Sequence, residues 1–409
     1  MKARLVGRHK NRDYNDNKNS DDGDSDNRDS GHRYISHRDI SNRRPESDLK
    51  IIPICLGLLI LMLSIPWLTV TAEPYFAVMT GAKCTACHVN PTGGGKRTRA
   101  GAVWGQSGLS ETLVDDKIWD GGLHENFSVG ADIRSNFNTA SEPGQDSSNE
   151  FRMEETLLYL EFNLLDDRLL LYVDEQLAPG GASNREAYPL YWILDRSVYF
   201  KAGRFFLPYG LRLEDDTAFI RTVPGINYFT PDTGVETGLE IGPWSGSFAI
   251  TNGTGGGGEV DTGKQYSLFA SYTRPLWRAG ASYNYNDVDG GDRVMQNLFA
   301  GLKTGPVSWL AEIDYIVDDG APGGQRKQWM SFLEANTCLS QGHNMKLTFE
   351  HFDPDSNIDE DERNRYSIVY EYFPIQFTQL TAGFRFNDGI PQASEQNAEE
   401  FFLQLHNFF

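Results

Sequence analysis

Cysteine is scarce in this chain: Cys55, Cys84, Cys87 and Cys338 are the only four in 409 residues. A structural zinc site needs four ligands, usually a second C-x-x-C or an H-x₃₋₅-H pair. Beyond Cys84 and Cys87 the chain after residue 72 offers only Cys338 and no nearby histidine pair, which argues against zinc. Long apolar runs are also missing after residue 72, so no membrane-spanning helix is expected there. Positive charge is in short supply. Lys and Arg number 37 against 57 Asp and Glu, for a formal charge of −20, and the acidic excess lies beyond residue 72. Such a surface repels nucleic acid and attracts cations.

Residues 1–50 lack apolar content as well. They are low-complexity Asp, Asn, Arg and Ser, and cannot bury a core. Residues 51–72 follow as a secretory signal. Arg43, Arg44 and Lys50 precede an apolar run from Ile51, and Val70-Thr71-Ala72 supplies small residues for cleavage. The mature chain then starts at Glu73; a membrane anchor is the alternative.

Cys84-Thr85-Ala86-Cys87-His88 stands close behind that point. Two thiols spaced C-x-x-C with an adjoining histidine form the attachment signature of haem c. Each thiol adds to one vinyl group, and the histidine is placed as proximal iron ligand. A redox C-x-x-C would need a βαβ setting, which the remaining sequence does not offer. Pro91-Thr92-Gly93-Gly94-Gly95 breaks helix and lets backbone pass close to a bulky ligand. Lys96, Arg97 and Arg99 form the one basic cluster after residue 72, suited either to haem propionates or to acidic walls; a solvated turn is the plain alternative. Residues 73–120 are therefore a monohaem segment and linker.

From Leu123 the period becomes two. Leu123, Phe127, Val129, Ala131, Ile133 and Phe137 alternate with polar residues, and fifteen similar stretches follow, the last at 397–408. Short turns, as at Asp166-Asp167 and Asp195-Arg196, alternate with longer polar loops such as 138–150 and 207–234. Sixteen strands with segregated connection lengths indicate an all-β, antiparallel transmembrane barrel over 121–409, with both ends on the short-turn, periplasmic side. Phe401, Leu403, Leu405 and the terminal Phe409 share one face, like the closing strand of outer-membrane barrels. The loop 207–234 carries Arg212, Glu214, Asp215, Asp216 and Arg221, and is expected to fold into a wet lumen.

A second iron ligand is not written in the sequence. No Met or His lies between Val89 and Leu123. His124 is the best candidate, because it follows the linker and its polar parity aims it into the lumen; an exposed rim position is the alternative. The other candidates are Met79, Met153, Met295, Met330, His343, Met345, His351 and His406. Cys338 is expected as a small lipid-facing or rim residue. Asp353 to Glu362 begins like a calcium loop but lacks the glycine and final glutamate, and reads first as solvated charge.

The segment Phe76-Ala77-x-x-Thr80-Gly81-x-x-Cys84-x-x-Cys87-His88 is similar at every named position to the haem motif of fused cytochrome–porin proteins of bacterial outer membranes. That resemblance covers 73–409. It implies one haem c bound through Cys84, Cys87 and His88, a 16-stranded barrel whose lumen the haem segment plugs, and iron-oxidase-like electron transfer. The partners it implies are outer-membrane lipid, an extracellular metal ion or redox partner, and a periplasmic carrier such as a soluble cytochrome c. The chain departs from the family's Phe-Pro-x-Leu continuation at Val89-Asn90-Pro91-Thr92, so Fe(II) as donor is implied less firmly than the architecture. Gly203-Arg204-Phe205-Phe206-Leu207-Pro208-Tyr209-Gly210 resembles a short segment of phosphate-selective porins. A diffusion porin with a periplasmic haem segment is the competing reading.

Overall fold

The computed structural model describes residues 73–259 and 261–409. The expectations for 1–50 and 51–72 lie outside the described residues.

Three short helices come first: α1 (Pro74–Thr80), α2 (Cys84–Cys87) and α3 (Arg99–Ser107). The strands follow as β1 (Gly122–His124), β2 (Phe127–Ser141), β3 (Ser148–Leu164), β4 (Leu169–Ala178), β5 (Ser183–Ile193) and β6 (Val198–Phe205). A helical turn, α4 (Phe219–Thr222), precedes β7 (Asp232–Ile241), β8 (Trp244–Thr251), β9 (Gln265–Arg274), β10 (Trp277–Asn286) and β11 (Arg293–Thr304). The last strands are β12 (Val307–Asp318), β13 (Arg326–Ser340), β14 (His343–Asp353), β15 (Arg363–Tyr372), β16 (Thr378–Asp388) and β17 (Glu399–Phe408).

Each strand from β2 to β17 pairs antiparallel with the next, and β17 pairs back onto β2, which closes a 16-stranded barrel. In that seam Phe401 faces Thr139 and Phe408 faces Asp132. Closure leaves no free sheet edge, so every strand's backbone groups have neighbours. The sixteen expected stretches are therefore the sixteen wall strands. Their first boundary is corrected: the wall begins at Phe127, and Gly122–His124 forms a small hairpin arm on β2. Ser141 and Ser148 extend β2 and β3 into the expected 138–150 loop, with Ala140 opposite Ser148. Both faces there meet polar surroundings, so the alternation that marks a strand in sequence is lost while the pairing continues.

Alternation decides what each face meets. On β12, Ser308, Leu310, Glu312, Asp314 and Ile316 are buried while Ile313 is 53 % exposed. On β17, Phe401, Leu403 and Leu405 are exposed, as are Leu298, Leu302, Leu333, Phe384 and Ile368 around the wall. An outer face this apolar suits hydrocarbon rather than water. Trp244, Tyr272 and Trp277 contact one another at the short-turn rim, with centroids 4.7 and 5.5 Å apart, as an aromatic girdle would. No helix among the described residues is long and apolar enough to cross a membrane. The connections after β3, β5, β7, β9, β11, β13 and β15 are all short, and those at the opposite end are longer except the one between β4 and β5, where the strands run on to Ala178 and Ser183. The chain enters β2 and leaves β17 at the short-turn end.

Cys338 lies at the rim, two residues before the end of β13, but does not face lipid. It is 1 % exposed and donates from Sγ to the carbonyl of Ser340 at 3.2 Å. It follows Glu334 and Asn336 in parity on β13, which turns it inward rather than to lipid.

Candidate functional site

Residues 73–120 touch the inward face around much of the circumference. Tyr75 donates to Glu371 of β15 at 2.9 Å, and Lys346 of β14 pairs with Glu73 at 2.5 Å. Lys303 of β11 donates to the Met79 carbonyl at 2.9 Å. Lys83 pairs with Glu240 of β7 at 2.8 Å, and Asn90 donates to Glu186 of β5 at 2.9 Å. The basic cluster divides its work. Lys96 pairs with Glu161 at 2.7 Å, and Arg97 lies 3.6 Å from Asp132 and over the Phe408 ring. Arg99 pairs with Asp120, in the open. Two of the three thus pair with the acidic wall.

The C-x-x-C-H turn has its own scaffold. Cys84–Cys87 form one helical turn, and His88 N–H donates to the Cys84 carbonyl at 2.9 Å. His88 then bridges antiparallel to Arg97, while Val89 N–H donates to Lys96 O at 3.0 Å. The loop closing this small hairpin needs Gly93, Gly94 and Gly95, whose φ values are 91°, 76° and 64°. That region is costly for residues with a Cβ. Asn90 fixes the loop's start, accepting from Thr92 N–H at 3.2 Å while its amide holds Glu186. Thr98 caps α3 by accepting from Gly101 N–H at 3.1 Å and donates to the Ala86 carbonyl at 3.0 Å. Helix α3 packs so closely that a Cβ on Gly101 would stand 2.3 Å from the Cys87 carbonyl oxygen.

Cys84, Cys87 and His88 open onto one hollow, lined also by Gly93, Arg97, Trp104, Arg212 and Tyr228. It holds about 1150 Å³ free of protein atoms, including the stretch of lumen it opens into. Arg134, Arg185 and Arg278 reach it from the wall. The inward segment 206–231 forms its far side. That segment folds into the lumen as expected: Leu211 N–H donates to Glu312 at 2.5 Å, Phe219 N–H to Glu350 at 2.8 Å, and Leu207, Tyr209, Leu213 and Ile220 are buried. Burial first, then the Arg97 charge, pushes His88 down to about 4, so its ring is neutral and has a lone pair to give. Its Nδ1 is buried without a hydrogen-bond partner.

These features fit a covalently held haem. Both thiols and a neutral imidazole share one hollow, a glycine run leaves it unobstructed, and guanidinium groups suit carboxylate substituents. The second axial ligand is a different matter. His124 is exposed on β1 and does not line the hollow, because the chain reverses between β1 and β2 and removes it from the wall's alternation. His406 is engaged at both nitrogens, with Gln379 at 2.9 Å and Asp132 at 2.8 Å. His343 and His351 bond to Tyr370 and Asn364. Among the described residues His88 is the only His or Met lining the hollow. No group of three or more His, Cys, Asp or Glu among them is arranged to hold a bare metal ion, the Asp353–Glu362 loop included. Arg185, Arg278, Tyr228 and Glu186 were not singled out in the sequence, and Arg212 was named only as one of the polar residues of the inward loop. The inward parity of Glu186 and Arg278 was the available signal; Arg185 turns inward at a bulge between Asn184 and Glu186 that breaks the alternation, and the contact Arg212 makes depends on a loop path that no periodicity encodes.

No protein-family model matches the sequence, and comparison with curated proteins gives no match. Solved structures do match in fold. An anion-selective porin from Comamonas acidovorans aligns with a TM-score of 0.57 at 12 % identity, over 69 % of this chain and 99 % of its own. OmpT, an outer membrane protein of Vibrio cholerae, in its loop L8 deletion form, aligns at 0.54 and 12 % identity over 70 % and 100 %. The outer membrane channel DcaP of Acinetobacter baumannii aligns at 0.53 and 13 % over 69 % and 97 %. At these identities the likeness is one of fold: the barrel is a porin-type barrel.

Proposed function

We propose that this chain is a bacterial outer-membrane barrel with a haem c attached through Cys84 and Cys87, His88 being the axial ligand on one side. In this reading both chain ends face the periplasm, and residues 73–120 plug the lumen. The protein carries electrons between an extracellular donor or acceptor, Fe(II) being one such donor, and a periplasmic carrier such as a soluble cytochrome c. The observation that carries the reading is the shared hollow: two thiols, an unpartnered imidazole nitrogen and several guanidinium groups converge inside a barrel with an apolar outer face.

A bound haem would supply a one-electron centre. The chain's part is positional. Asn90, Glu186 and Thr98 hold the C-x-x-C-H turn. Arg97 and Arg212 present positive charge to the hollow, and the wall separates it from lipid. Haem staining and a reduced-minus-oxidised visible spectrum of the protein purified from outer membranes test this directly. Expected are covalent haem and c-type absorption bands. A purified barrel with intact thiols and no such bands overturns the reading.

The fold neighbours favour a second reading, that of a diffusion porin, because one of them is an anion-selective porin and another an outer membrane channel. Their likeness bears on the barrel and carries no support for electron transfer. Arg97, Arg134, Arg185, Arg212 and Arg278 around one hollow would then attract anionic solutes. Conductance in planar bilayers separates the two: a steady open channel with anion preference supports the porin, and a closed barrel that passes electrons supports the conduit.

A further inference from the structure

Glu73 lies among inward-facing side chains, and the charges there do not balance. Its carboxylate is 8 % exposed and pairs with Lys346 of β14, which also bonds Glu371 of β15 at 3.0 Å. Glu334 of β13 and Glu214 of the inward segment line the same cavity as Glu73 and Lys346. Arg134 is already shared between Glu155 at 2.7 Å and Glu214 at 3.0 Å. Tyr75 and Asn344 add hydrogen bonds to Glu371, but no charge. Four carboxylates therefore face one lysine and a shared arginine, with the His406 ring 4.0 Å from Glu214 alone. Glu334 shows the deficit most plainly: it is 3 % exposed, and its Oε1 is buried with no hydrogen-bond partner. A buried carboxylate oxygen without a donor is costly, and native structures rarely leave one so.

The sequence places Val70-Thr71-Ala72 immediately before this residue. Small residues at that spacing mark processing after Ala72.

We propose that processing at the Ala72–Glu73 bond creates the missing cation, and that the α-ammonium group of Glu73 is a built-in countercharge of the Glu214, Glu334 and Glu371 cluster. The step is a hydrolysis. Water adds its hydroxyl to the Ala72 carbonyl carbon, the C–N bond breaks, and the Glu73 nitrogen leaves as an amine that takes up a proton. A neutral amide with one N–H becomes a cation with three. It remains within covalent reach of the Glu73 carboxylate, so it joins the charges that surround that group. Burial, together with Glu371, Glu214 and Glu334, pushes the Glu73 carboxyl above its usual range against the pull of Lys346, which is the response of a site short of positive charge. The inference does not depend on haem.

The test uses the full-length protein expressed with its leader and purified from outer membranes. Intact mass and N-terminal sequencing should give Glu73 as the first residue; any other start overturns the proposal. Acylation of the α-amine at pH 8 should then run about tenfold slower in the folded barrel than after thermal unfolding in detergent, since an ordinary α-amine has a pKa of about 7.7–8.0. Equal rates would overturn the placement. Glu334→Gln should recover part of the difference, and an unaltered rate in that variant would refute its role as partner. The same result in a Cys84→Ala/Cys87→Ala protein separates this inference from the haem reading.

Discussion

Arg212 donates from Nη1 to the backbone carbonyl of Gly93 at 2.5 Å, joining the inward segment of the barrel to the glycine run behind the C-x-x-C-H turn. Its Nη2 also reaches the carbonyl of Leu207 at 3.1 Å. One side chain thus ties the 206–231 segment to itself and to the candidate site. Hydrogen bonds from a charged donor contribute about 1.5–3 kcal/mol each. Arg212→Ala should therefore loosen both partners while leaving the wall intact. Hydrogen exchange should rise in 206–231 and 91–95, with exchange in β10 to β13 unchanged. Protection in both loops equal to that of the parent would show that Arg212 does not join them.

Replacing Cys84 and Cys87 by Ala should remove covalent haem, because each thioether needs its thiol. The barrel should still insert, since its backbone bonds close without a cofactor. His88→Ala should retain part of the covalent haem and shift its reduction potential, because axial ligation is a principal control on potential. In liposomes loaded with a redox dye, the double cysteine variant should no longer pass electrons from an external reductant. Unchanged transfer in a variant lacking haem would defeat the conduit and leave the diffusion porin.

Gly101 is the tightest point between α3 and the motif. A Cβ there would meet the Cys87 carbonyl oxygen at 2.3 Å and its Cα at 2.9 Å, both backbone atoms with little freedom to move. Helix propensity alone favours Ala over Gly by about 1 kcal/mol, so a free helix would gain from the change. Contact should win here. Gly101→Ala should cut haem attachment several-fold and leave heat-modifiable migration of the barrel as it was. Haem content equal to the parent would show that α3 can move away without cost.

The wall was legible because each strand faces two different surroundings, and that difference writes a period of two into the sequence. Where the surroundings match on both faces, as at Asn149 and Glu150, the period and the boundary vanish together. The C-x-x-C-H turn was legible because its chemistry fixes its spacing. Its surroundings were not. Glu186 and Asn90 are 96 residues apart in sequence, and only barrel closure and the inward path of 73–120 bring them together. His124 shows the limit of parity: its even number matches Asp132 and Arg134, but the reversal before Phe127 takes it out of the strand that parity describes. For Cys338 parity was the better guide: it shares the parity of Glu334 and Asn336, which points inward, and its place at the end of β13 puts it at the rim.

Asp216 offers a pH test of the inward segment. Burial first, then the neighbouring Asp215, pushes its carboxyl up to about 6. Burial acts on Asp215 in the same direction, but Arg385 and Arg365 outweigh it and hold Asp215 well below the usual carboxylate range. The two adjacent acids therefore titrate apart, and of the two it is Asp216 that changes charge near neutrality. Its folded pKa lies above the unfolded value of about 3.9. Between those values the packed segment binds more protons than the unpacked one, so packing is favoured as pH falls through about 6 and weakened as pH rises through it. A shift of this size corresponds to roughly 3 kcal/mol, and solvent screening of a partly exposed group reduces that to about 1–2 kcal/mol. Hydrogen exchange in 206–231, corrected for its intrinsic pH dependence, should accelerate about tenfold between pH 5 and pH 7.5. Asp216→Asn should flatten that profile and keep the low-pH protection, while Asp215→Asn should lose protection at every pH by releasing Arg385 and Arg365. A pH step that survives in Asp216→Asn would assign it to another group and refute this account.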